Sequence, residues 1–126
     1  MQAFIIVFLG AGFGGAMRHG VNLLATRFLG IGFPHGTLIV NVVGSLIMGM
    51  LIDYFALRGG ASQHWRLFLT TGILGGFTTF STFSLDVALL YERGETALAA
   101  GYALGSVVLA LGALFAGMWL MRQFPA

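Results

Sequence analysis

Five hydroxyls and a diglycine fall within ten consecutive residues of an otherwise apolar stretch: Gly75-Gly76-Phe77-Thr78-Thr79-Phe80-Ser81-Thr82-Phe83-Ser84. No acid or base interrupts residues 67–85. Hydroxyls so placed can solvate an ion that has shed its water. Glycine pairs and Thr runs are poor helix material, so a local break is expected here, and carbonyls freed by a break can hold a cation. Phe80 and Phe83 lie three residues apart on one face, where they could serve as ordinary packing. An aromatic ring also has a positive edge, which can face an anion. Thr37, Asn41 and Ser45 recur at i, i+4 and i+8, and Asn41 brings two N–H donors. An interhelical hydrogen bond is the other reading of Asn41. Tyr102 and Ser106 share a face further on. Arg18 is the one cation set well inside an apolar segment, able to attract anions or to snorkel outward. Hydroxyls, an amide and ring edges, with no acid among them, suit an anion better than a cation.

These groups need elements that hold them in lipid. Of the 126 residues, 58% are hydrophobic, 20 are Gly and only 8% are charged, with 6 Arg or Lys and 4 Asp or Glu. So few charges cannot cover a globular surface in water. The composition excludes a disordered chain and a nucleic-acid binder, and the absence of Cys excludes thiol catalysis and a Cys-ligated metal. Residues 28–52, 67–85 and 96–121 carry no Asp, Glu, Lys or Arg, and 1–17 form a fourth such run. A span needs about 20 apolar residues. The pattern predicts one all-α membrane domain over residues 1–126, with four helices at about 3–27, 36–57, 66–91 and 96–122. Arg58, Gly59, Gly60, Ala61 and Ser62 form the second connection, and Arg93-Gly94 the third. A cleaved leader is not expected, because Met1-Gln2-Ala3 lacks a basic residue and Arg18 falls where cleavage would occur.

Three further readings are excluded or placed. Gly10, Gly12 and Gly15 match a dinucleotide-binding pattern, but inside a membrane helix and with no acid before Asp53, so they are read as packing. His19, His35 and His64 lie near helix ends without metal-ligand spacing. No His, acid and nucleophile cluster is present, so an enzyme is not expected. Gly10 with Gly14, Gly101 with Gly105, Ser45 with Gly49 and Ala113 with Gly117 have the spacing that lets helices approach closely, which points to a homo-oligomer. Arg58, Arg66 and Arg122 would lie on one side against Arg27 and Arg93 on the other, a feeble orienting bias compatible with insertion both ways up.

The chain resembles the small bacterial fluoride channels of the Fluc/CrcB family along essentially its whole length. The resemblance rests on Gly14-Gly15-Ala16 with Arg18, on Gly36-Thr37-Leu38-Ile39-Val40-Asn41, and on the third-helix motif, which is highly specific. It implies an antiparallel, dual-topology homodimer in the cell membrane, with two fluoride pores and a central structural sodium ion. The sodium ligands would be the backbone carbonyls of Gly75 and Thr78. Phe80 and Phe83 would form an aromatic box, Asn41 its amide donor, and Thr37, Ser81, Thr82 and Ser106 polar positions along the path. Arg18 would stand in a vestibule. The chain departs from the family pattern at His19, His35, Ala110 and Leu114. The implied activity is passive fluoride export that relieves fluoride toxicity. A proton-coupled small multidrug exporter is the alternative, but it needs a membrane-embedded carboxylate that the first helix lacks. A non-transporting subunit that packs through its glycines is a third.

Overall fold

Within a bilayer the backbone must satisfy its own hydrogen bonds, and a helix does so inside one segment. In the computed structural model, which describes residues 1–59 and 62–124, every regular element is helical. Helices α1 (Gln2–Leu29) and α2 (His35–Arg58) each form one continuous span. The third span, Gln63–Glu92, is composite. It contains α3 (Gln63–Leu67), a π-helical segment (Phe68–Leu74), α4 (Gly75–Phe77) and α5 (Phe80–Glu92). Helix α6 (Thr96–Arg122) is the fourth span. The chain is a multi-pass membrane protein. Its third span starts at Gln63 rather than 66, because the Ser62 hydroxyl accepts from Trp65 N at 3.3 Å and caps the helix early. Gly60 and Ala61 of the expected second connection lie outside the described residues.

The expected break is present. Thr78 (φ −90°, ψ 158°) and Thr79 (φ −153°, ψ 125°) are extended and separate α4 from α5. The threonines themselves close the two ends. Thr78 N and Oγ1 both donate to Leu74 O, at 3.0 and 2.9 Å. The Thr79 hydroxyl accepts from Thr82 N at 3.2 Å, capping α5.

The π-helical segment was not expected, and it is the part of the third span that packs closest against α1. Helix α1 approaches so closely that a Cβ on Gly10 would meet Gly72 Cα at 2.8 Å and Phe68 O at 2.9 Å. Helices α2 and α6 meet in the same way, since a Cβ on Gly49 would overlap the Leu114 carbonyl and one on Gly117 the Leu46 carbonyl. Three of the four small-residue pairs therefore pack within the chain. Gly101 and Gly105 do not, and nothing lies within 4 Å of a Cβ added at either.

Buried apolar side chains gather on either side of the break. Val40, Leu74 and Phe77 form one cluster, and Phe83, Leu90, Ala99 and Tyr102 the other. Outside them the helices expose Phe4, Phe8, Phe13, Leu104, Val108 and Phe115, a surface suited to lipid or to another chain rather than to water. At the far end of α2 the buried Asp53 pairs with Arg122.

Candidate ion pathway

The break is held from two sides. From α2, Asn41 Nδ2 donates to Thr79 O at 3.0 Å and Asn41 Oδ1 accepts from Thr79 N at 2.8 Å. One amide thus satisfies both polar groups of a backbone unit that neither helix can serve, each bond worth about 0.5–1.5 kcal/mol net. From α1, Arg18 Nε donates to Gly76 O at 3.1 Å, at the C-terminal end of α4 where a cation is favoured. Both readings of Asn41 remain open, because a primary amide has two N–H donors and Thr79 takes one.

Beside this clasp lies a cavity of about 280 Å³, lined by Asn41, Ser45, Thr78, Thr79, Phe80, Phe83 and Ser106 among others. The Phe80 and Phe83 ring centroids are 5.5 Å apart at an interplanar angle of 49°. Their burial differs sharply: Phe83 is 9% exposed and Phe80 76%. Ser106 is buried on α6, and its Oγ has no hydrogen-bond partner. A buried hydroxyl without a partner costs about 1–3 kcal/mol, so it marks a place where a polar occupant would be stabilised.

A second cavity, also about 280 Å³, opens at the end that carries the 30–34 and 93–95 connections. Thr37 and Thr82 line it, together with Asn22, His35, Asp86 and Arg93. Tyr102 contacts one lining residue of each cavity, Phe83 and Asp86. Its ring lies 5.3 Å from that of Phe83 and its hydroxyl donates to Asp86 Oδ2 at 3.0 Å. Polar groups therefore line both cavities, Asn41 and Ser106 in the first and Thr37, Thr82 and Asp86 in the second.

The structure brings Asn41, Phe80, Phe83 and Ser106 to one cavity and Thr37 and Thr82 to the other. Ser81 is exposed, with its Oγ 3.3 Å from Thr79 Oγ1. Arg18 lines neither cavity and is tied to the break. Gly75 and Thr78 flank the Gly76 carbonyl that Arg18 occupies. The Gly75 side of α4 is open, with only Thr70 O, at 3.8 Å, within 4 Å of an added Cβ.

Three residues gain importance that the sequence did not give them. Asp86 lies within α5, lines the second cavity and accepts from Tyr102. His35 lines that cavity with Nδ1 buried. Tyr102, 3% exposed, touches Phe83 of the first cavity and Asp86 of the second. The available signal was an acid inside an apolar span and a phenol one turn from Ser106.

A family model described as CrcB-like protein, Camphor Resistance (CrcB), matches residues 5–118. The chain belongs to the CrcB-like family. Among curated relatives, this CrcB-like chain is 62% identical to the fluoride-specific ion channel FluC of Methylobacterium nodulans, over 95% of this chain and 96% of that protein. It is 60% identical to the protein of that name from Rhodopseudomonas palustris strain BisB5, over 96% and 98%. It is 58% identical to fluoride-specific ion channel FluC 2 of Nitrobacter hamburgensis, over 95% and 97%. These relatives are named as ion channels and not as enzymes.

Proposed function

We propose that this CrcB-like chain is a fluoride-selective channel of the cell membrane that lets cytoplasmic fluoride leave passively. The observation that carries the reading is the buried, unpartnered Ser106 hydroxyl in a cavity shared with Asn41 and the Phe80 and Phe83 rings. Full-length relatives named fluoride-specific ion channels support it. Fluoride is small and strongly hydrated, so a path for it must replace water with several donors at once. Hydroxyls of Ser106, Thr37, Thr82 and Ser81, the spare Asn41 N–H and the positive ring edges of Phe80 and Phe83 provide them. Arg18 adds positive charge near the break.

Hydrogen fluoride enters a cell as a neutral acid and ionises in a more alkaline cytoplasm. A negative interior then drives the anion outward with no other energy source.

The working unit in this reading is an antiparallel homodimer with two pores. The exposure of Phe80, the open Gly75 side of α4, the unfilled faces at Gly101 and Gly105 and the weak Arg asymmetry all favour a second copy set the other way up. A sodium ion fits the donor chemistry where the copies would meet. Carbonyl oxygens of Gly75 and Thr78 are hard donors at a point where the backbone leaves the helix, and the ion would supply a fixed positive charge that holds the breaks together. The multidrug-exporter alternative gains nothing from Asp86, which is already bonded to Tyr102 and lies in the third span.

Fluoride release from liposomes containing the purified protein, followed by a fluoride electrode, tests the reading. Rapid release of fluoride without chloride, abolished in Phe80→Ile, is expected. No release from an intact dimer would sink it and return the hydroxyl-rich segment to a packing role.

A further inference from the structure

We propose that Arg93 receives fluoride at the mouth of the channel, its guanidinium offsetting the Asp86 carboxylate and offering the anion the N–H groups that the fold leaves unused. This role rests on the channel reading above and identifies the group at which the anion enters.

Among the described residues, three titratable or charged side chains line the second cavity: His35, Asp86 and Arg93. An anion arriving there meets the Asp86 carboxylate, and only a cation in the same lining offsets that repulsion. Arg93 is, among the described residues, the one lining side chain that is charged positive at every physiological pH. Arg18, the cation singled out by the sequence, lines neither cavity and is bonded to Gly76 O. Arg27, at the same end of the bundle as Arg93, lies over the Phe28 ring and outside the lining.

The way Arg93 is tied leaves it able to act. One nitrogen, Nη2, makes both of its bonds, donating to Gly32 O at 3.0 Å and pairing with Glu95. A guanidinium has five N–H donors, and these bonds use two. Nε and Nη1 have no partner among the described residues. The Gly32 bond links the end of α5 to the 30–34 connection and so holds the guanidinium in place. His35 adds a neutral contribution, because its Nδ1 is buried in the same cavity without a partner. Such a nitrogen carries its desolvation cost until a polar occupant reaches it, and the tautomer with hydrogen on Nδ1 donates to an anion. Glu95 is the opposing influence. It lies outside the lining but competes with an anion for the same guanidinium. It makes no side-chain capping bond to α6, so its charge can be removed without uncapping that helix. Two roles for Arg93 therefore predict different results. If the Arg93–Glu95 pair only braces the two connections, losing either partner loosens the mouth and changes release in the same direction. If Arg93 receives the anion, Arg93→Gln and Glu95→Gln move release in opposite directions.

The full-length protein in liposomes provides the test, with fluoride dilute enough for release to follow entry. Arg93→Gln should lower release about two- to fivefold, and Glu95→Gln should raise it by a similar factor. Arg93→Lys keeps the charge but not the fork, so it should fall between Arg93→Gln and the native protein. The differences should shrink as sodium gluconate on both sides is raised from about 0.01 M to about 1 M, because the Debye length falls from about 30 Å to about 3 Å. Rates that are unchanged, that move the same way in Arg93→Gln and Glu95→Gln, or that differ by a factor insensitive to salt overturn this inference and leave the channel standing. No release from the native protein overturns both. A second measurement does not depend on flux. Arginine Nε–H NMR signals of the protein in lipid nanodiscs are compared in sodium fluoride and sodium gluconate at one pH and ionic strength. Fluoride should shift the Arg93 signal above those of Arg27 and Arg58, whose guanidiniums lie over the Phe28 and Tyr54 rings. An Arg93 signal that moves no more than theirs would overturn the proposal.

Discussion

Asn41 and Thr79 are bonded to each other twice, the side-chain amide giving to the Thr79 carbonyl and taking from its N–H. The amide therefore replaces, for one residue, the helix that the third span has lost. Asn41→Ala should leave both backbone groups unpaired in an apolar setting, at a cost of about 2–4 kcal/mol. We expect faster amide exchange at Thr79 and fluoride release reduced by more than about tenfold, since about 1.4 kcal/mol already corresponds to a factor of ten. Asn41→Asp keeps the acceptor but sets a carboxylate against Thr79 O, so it should not rescue release. Unchanged exchange at Thr79 in the Ala variant would show that the break holds without the clasp.

Much of this arrangement was readable in the sequence, and what was not has a physical reason. Uncharged runs located the four spans, and Gly75-Gly76 followed by Thr78-Thr79 located the break, because these are local properties of chain composition. The π-helical segment carries no local signature, and its close packing of Gly72 against Gly10 brings together residues of different spans. Asn41 advertised a polar group, but its partner is backbone, which carries no side-chain signature. Asp86 and Tyr102 are 16 positions apart on different spans, and only packing of α5 against α6 joins them. Phe80 was placed correctly on the face of Phe83. Its exposure depends on what lies beside the chain, which a single sequence does not specify.

Glycines separate packing within the chain from whatever covers it outside. Gly49→Ala must push against the Leu114 carbonyl, which is backbone and cannot swing aside. Overpacking of this kind costs about 1–3 kcal/mol, so the α2–α6 contact should loosen and the midpoint of thermal unfolding in detergent should fall. Gly112→Ala meets nothing within 4 Å and gains about 0.5–1 kcal/mol of helix propensity. It should leave the midpoint unchanged or raise it. Equal losses at both positions would mean that the Gly112 face is also packed in the assembled protein.

Asp53 and Arg122 make a comparison in which charge and shape can be separated. The Asp53 side chain is 8% exposed while that of Arg122 is 58% exposed, so the carboxylate depends on a partner that is itself half in the surroundings. The pair joins the C-terminal parts of α2 and α6, which Gly49 and Gly117 hold together further along. Arg122→Gln would strand a buried carboxylate. The loss for a fully buried pair is about 3–5 kcal/mol, and screening of the exposed guanidinium reduces it here to about 1–2 kcal/mol. Asp53→Asn keeps the shape and removes the charge, so it should cost less than Arg122→Gln. Combining the two should cost no more than Arg122→Gln alone, since no buried charge is then left. Thermal unfolding of the four proteins in one detergent at one pH gives the coupling directly. Strictly additive losses would mean that the pair is a contact of convenience and that the glycine-to-carbonyl packing alone fixes α2 against α6.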